Sequence, residues 1–220
     1  MRIALLVSMF YLLGLGVPQA PKTPDPADLV TKAVSLVVPC SYDVSAAEEA
    51  KGGKSKAANL SKGENEMKSK ISLPILLRSG RYVYSTPAIG TYAGRPVWTI
   101  HFEPAPSIQP VVQTGEDERI NRAMNNMSGD LQLERATGAL IHLDAALKSA
   151  MLFSGTMRTL GIPIPVTVTV LSGTLHIDQK LVNGVWVPER AVLETWVIAS
   201  WLIIVVPAHY TYTAPFHCGK

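Results

Sequence analysis

His142-Leu143-Asp144 and His176-Ile177-Asp178 each hold an imidazole and a carboxylate two residues apart. On a β-strand that spacing turns both side chains to one face. If the two segments lie on neighbouring strands, two imidazoles and two carboxylates meet, a donor set that suits zinc or a related divalent ion. The same pairs also suit the wet face of an antiparallel sheet, where opposite charges meet across strands. The plainer reading is preferred, and no metal and no cofactor are expected.

Other chemistries have less footing. Ser128, Ser154 and Ser172 each precede a glycine, but none lies in a G-x-S-x-G elbow, and they read as turn or strand-entry positions. The chain carries no P-loop, G-x-G-x-x-G, paired C-x-x-C or H-E-x-x-H. No enzyme activity and no catalytic residue are expected. Cys40 and Cys218 are the only cysteines, and neither has a second one nearby, so redox and metal roles are not expected. In an exported chain an even pair favours a disulfide over two buried thiols.

Export is read from the first residues. Arg2 precedes an apolar run, Ile3 to Val17, shorter than the roughly 20 residues of a spanning helix. Residues 1–20 therefore read as a secretory signal and 21–220 as a single domain, with no integral membrane span after signal removal. Without Arg2 the 20 basic residues become 19 against 17 acidic ones, which gives nucleic acid nothing to bind. Residues 48–70 mix six lysines with four glutamates and read as a mobile, solvated hairpin or loop. Asn59-Leu60-Ser61 and Asn126-Met127-Ser128 match the glycosylation sequon.

The elements that must position these groups are mostly strands. Asp25 can cap a helix with Pro26 at its first position and Leu29, Val30, Ala33, Val34 and Val37 on one face. Strand-like sequence follows from Leu36 to about Val44. A second short helix, capped by Thr114 and acidic at Glu116, Asp117 and Glu118, puts Ile120, Ala123, Met124 and Met127 on one face. One pattern occurs twice. Ser128-Gly-Asp-Leu-Gln-Leu-Glu leads to Thr137-Gly138, and Ser172-Gly-Thr-Leu-His-Ile-Asp leads to Asn183-Gly184. Each copy reads as a strand, a glycine-bearing turn and a second strand.

Trp196 to Val206 is apolar at odd and even positions alike. As one strand it must be covered on both faces, one by the body of the protein and the other by a helix, a partner or a ligand. Trp98, Trp186, Trp196 and Trp201 all fall on expected strands, as core or cavity lining.

Tyr84, then Gly94-Arg-Pro-Val-Trp-Thr-Ile-His-Phe-Glu-Pro104, then Gly129-x-Leu-x-Leu-Glu134 and Val185-Trp186-Val187-Pro188 resemble motifs of the LolA/LolB-like exported proteins. The resemblance covers about Pro26 to the C-terminus. It implies a mainly β fold, an incomplete antiparallel β-barrel with the N-terminal helix and the short second helix as lid. The cavity beneath would take a lipid or lipoprotein acyl chain in the periplasm or cell envelope. Trp98, Met124, Met127, Trp196, Trp201, Ile203 and Val205 are the expected cavity lining. The alternative is a structural or interaction module with a filled interior that binds an envelope protein partner.

Overall fold

A computed structural model describes residues 23–38, 40–42, 45–50, 54–57, 76–77, 80–106, 116–159, 162–201 and 204–218. The expected signal, Thr114, Ile203 and most of the Lys-rich stretch lie outside them. Helix α1, Pro26–Ser35, starts as its sequence dictates: the Asp25 carboxylate accepts the Ala27 N–H at 2.8 Å and the Asp28 N–H at 3.4 Å. Helix α2 is Glu116–Met124. Met127, expected on its face, is instead the first residue of a strand, because the helix ends at Met124 and the chain turns through Asn125 and Asn126.

The described residues hold twelve strands: β1 Ser41–Tyr42, β2 Ser45–Ala50, β3 Lys54–Ala57, β4 Tyr82–Tyr84, β5 Ala88–Tyr92, β6 Arg95–Pro104, β7 Met127–Glu134, β8 Leu140–Leu147, β9 Met151–Thr159, β10 Ile162–Val182, β11 Val185–Trp201 and β12 Ile204–His217. They form one antiparallel sheet in the order β3-β2-β12-β11-β10-β8-β7-β6-β4, with β1 beside β12, β5 beside β6 and β9 beside β10. The two end strands, β3 and β4, do not pair with each other, so the sheet is open among the described residues.

Both copies of the repeated pattern are hairpins, β7–β8 and β10–β11, and β8 joins them by pairing with β10. Their leading glycines do different work. A methyl group at Gly129 would run into the backbone of Asp144 and Ala145, whereas at Gly173 it would meet the flexible Leu147 side chain. The β10–β11 turn needs Asn183 and Gly184 at φ +51° and +81°, which Asn and Gly tolerate best.

The core lies on the helix side of the sheet, its inner face. Val30 and Ala33 of α1 press on Ile100, Phe102, Leu131, Leu143, Leu175 and Ile177, all buried, together with Leu76. This side is filled by side chains. Of the strand expected from Leu36 to about Val44, the described residues hold β1; Leu36 caps α1 and Val37 packs against the core. At the start of the Lys-rich stretch, residues 47–50 pair antiparallel with 54–57.

The two cysteines are joined. β1 pairs with β12 through Ser41↔His217, so one further step of that register sets Cys40 opposite Cys218. Their disulfide ties residues 178 apart in sequence, with Cα atoms 4.5 Å apart.

Trp196 to Val206 is not one strand. It folds back on itself, with Ser200 opposite Val205 and Trp201 opposite Ile204. No Gly, Pro, Asn or Asp marks the reversal, so the period-two pattern ran through it unbroken.

Candidate functional site

The outer face of the sheet carries polar side chains in rows across the strands. Register sets His142 beside Asp178 and His176 beside Asp144, so the two His-x-Asp segments do meet. They pair with one another. His142 Nδ1 lies 2.8 Å from Asp178 Oδ1, and its Nε2 lies 2.7 Å from Asp144 Oδ2. His176 Nδ1 bonds the other oxygen of Asp144, and Arg190 donates to Asp178 Oδ2 at 3.2 Å. Each ring nitrogen of His142 thus faces a carboxylate oxygen. All four carboxylate oxygens are thereby used. Among the described residues, no group of three or more His, Cys, Asp or Glu is arranged to hold a metal ion. The lattice stitches β8, β10 and β11 together.

His142 is buried, and the Tyr92 ring stacks on it at 4.8 Å. Burial, with the charges of Asp178 and Asp144, pushes the Tyr92 phenol above its ordinary pKa. Burial alone would also raise Asp144, but the His176 and His142 bonds outweigh it and hold that carboxyl below its ordinary value. Further along the same row, His101 Nδ1 lies 2.9 Å from Asp130 Oδ1.

A second knot lies at the turn end of that face. Glu134, nearly buried, accepts from Trp186 Nε1 at 2.9 Å, Thr137 Oγ1 at 2.8 Å and Arg95 at 3.0 Å. Burial would raise its pKa, yet these donors together bring it below the usual carboxylate value. Val97, Ala139, Ile141 and Trp186 pack around it as a small apolar cluster. Sequence reasoning passed over Glu134 as a functional group, because its three donors come from three separate stretches of chain. On the inner side, Tyr82 donates to the Met124 carbonyl at 2.6 Å, and burial raises its phenol. The Asn126 side chain is tied to Ser149, donating to its carbonyl at 2.7 Å.

Beyond the helices the sheet continues, among the described residues, as a single layer. β9, the first half of β10, the end of β11 and the start of β12 form this wing. The row Phe153, Val168, Ala199 and Val206 extends the inner face; Ser154, Thr167, Ser200 and Val205 extend the outer one. Of the described wing side chains only Met151 is buried. Ile162 is 64% exposed and Val205 63%. Residues 162–175 and 195–216 contain no Asp, Glu, Lys or Arg.

The expected cavity residues divide between these regions. Met124 and Met127 belong to the packed core, and Trp98 lies half-buried against it under the Arg135 guanidinium at 4.8 Å. Trp196 is 49% exposed and stacks on His209 at 4.2 Å. Trp201 is half-buried in the wing and Val205 exposed there. Ile203 lies outside the described residues. The structure brings Trp98, Met124 and Met127 together but sets them apart from the wing residues. An open hollow of about 620 Å³ lies at the start of α1, lined by Thr23, Asp25, Leu29, Lys32, Thr86 and Pro87, none of them among the expected seven.

No protein-family model and no curated protein matches the chain. Among solved structures it is similar to the crystal structure of MucB in complex with MucA(peri), at 10% identity and a TM-score of 0.30, covering 88% of this chain and 94% of that one. It is similar too to the complex structure of Pseudomonas aeruginosa MucA/MucB, at 9% identity and a TM-score of 0.30, covering 87% and 93%. Superposition at that level carries no conclusion about what this chain does.

Proposed function

We propose that this chain is an exported, non-catalytic binding protein of the cell envelope, a LolA/LolB-like open sheet that engages a hydrophobic partner through its wing. The wing itself carries the reading: four paired strands, charge-free over residues 162–175 and 195–216, with apolar side chains exposed on both faces. Soluble proteins keep contiguous apolar surface small unless something covers it. The leader and the Cys40–Cys218 bond support an oxidising, exported address. The packed core under α1 favours an interaction module with a filled interior over a carrier with cargo beneath its helices.

A lipid reading keeps one observation in its favour. The apolar inner-face rows run on past the helices, so an acyl chain could lie along Val166, Val168 and Ala199. A photo-crosslinking residue at Val205, with a control at exposed Lys180, tests both readings in the protein's own host. A discrete protein or lipid adduct at 205, lost on Trp201→Asp in a folded chain, is the expected result. Equal labelling at 205 and 180, or none at either, would sink the proposal.

A further inference from the structure

The wing has an open edge as well as open faces. Among the described residues, β9 pairs only with β10, over nine residues and without a register shift. β7 does not reach it, since β7 starts at Met127 opposite Leu147. Natural edge strands are guarded by lysines, prolines, bulges or shortness. From Met151 to Met157 this edge has none of these, and a side chain at Gly155 would meet only open space.

We infer that β9 is a self-pairing edge, joining two copies of this chain antiparallel about a two-fold axis at Gly155 into one continuous sheet. The hydrogen-bonding sense fits. The Leu152 carbonyl already accepts from Arg122 at 3.3 Å, which marks the even-numbered residues of β9 as those turned to the open side. An axis at Gly155 sets Ser154 opposite position 156 and Leu152 opposite position 158, even against even, so outward N–H and C=O groups face each other. Side-chain chemistry fits too: the axis sets the Ser154 hydroxyl against that of Thr156. An isologous contact needs this kind of self-match. Arg122 is its competitor. It occupies the Leu152 carbonyl that the incoming strand would use.

This inference concerns the edge and stands apart from the wing-face proposal. Sedimentation velocity on the oxidised protein, over a range of concentrations, should show a monomer–dimer equilibrium. Ser154→Pro removes an outward N–H where an edge strand tolerates proline, and should weaken the dimer at least about tenfold, a step of 1.4 kcal/mol. Thr156→Lys should do the same if the proline variant fails to fold. Arg122→Ala should tighten the dimer. Gly155→Cys should form an intermolecular disulfide on mild oxidation, and Val205→Cys should not. A protein monomeric at every concentration overturns the inference, as does a dimer indifferent to both edge variants. Association abolished by Val205→Asp would reassign the contact to the wing face and overturn it as well.

Discussion

β10 passes through two environments without a break in its pairing. Its second half, around Leu175 and Ile177, lies between β8 and β11 with α1 and the Leu76 segment packed in the same core. Its first half, Ile162–Val170, has a strand on each side as well, β9 and β11, yet none of its side chains is buried. Pairing satisfies the backbone in both halves, but only a second layer removes side chains from water. Among the described residues, the body of the protein is therefore held by apolar burial and the wing by its ladder. That contrast is what the proposed contact surface rests on.

The contrast can be broken or sharpened by measurement. Reducing the Cys40–Cys218 bond, or replacing both cysteines by serine, should cost about 5 kcal/mol in the chain-entropy view, the largest single effect expected. Denaturant midpoints with and without reductant measure it. Phe102→Ala in the core should cost about 4 kcal/mol; a loss below 1 kcal/mol would mean that the body is no better packed than the wing.

Glu134→Gln should cost about 2 kcal/mol, because Trp186, Thr137 and Arg95 lose the charge they converge on. The same knot predicts an acid dependence. Glu134 and Asp144 both titrate below their ordinary values of 4.5 and 3.8 in the folded chain, so their contribution is complete above those values. It is lost as pH falls through the lower folded values. Melting temperature followed from pH 7 to acid should drop below about pH 4.5, and Glu134→Gln should flatten part of that drop. Smallest of all, Val205→Asp should change stability by less than about 0.5 kcal/mol, as expected of an exposed wing position. A cost near that of Phe102→Ala would show that something in the chain covers the wing.

Much of this was legible in residue order. Asp25-Pro26 announced α1, the alternating strands gave a mainly β chain, and Asn183-Gly184 named a two-residue hairpin turn. The meeting of His142 with Asp178 followed once the two hairpins were allowed to be neighbours. Its outcome was not legible. A donor set and a closed lattice share a composition, and only angles and distances separate them. The reversal at Trp201 was hidden because an apolar turn lacks the glycine or proline that marks one. Met127 was misplaced for a related reason: its helix spacing from Ala123 and Met124 ignored a helix end that nothing in the local sequence marks strongly.

Local sequence decided the capped helix, the glycine-bearing turns and most of the strands, since each depends on a few neighbouring residues and their backbone preferences. Tertiary structure alone decided that Cys218 faces Cys40, that Arg95 and Trp186 reach Glu134 from far along the chain, and that, among the described residues, helices cover one part of the sheet and not the wing. Those outcomes depend on which chain segments meet, and a strand pattern is silent about what comes to lie on top of it.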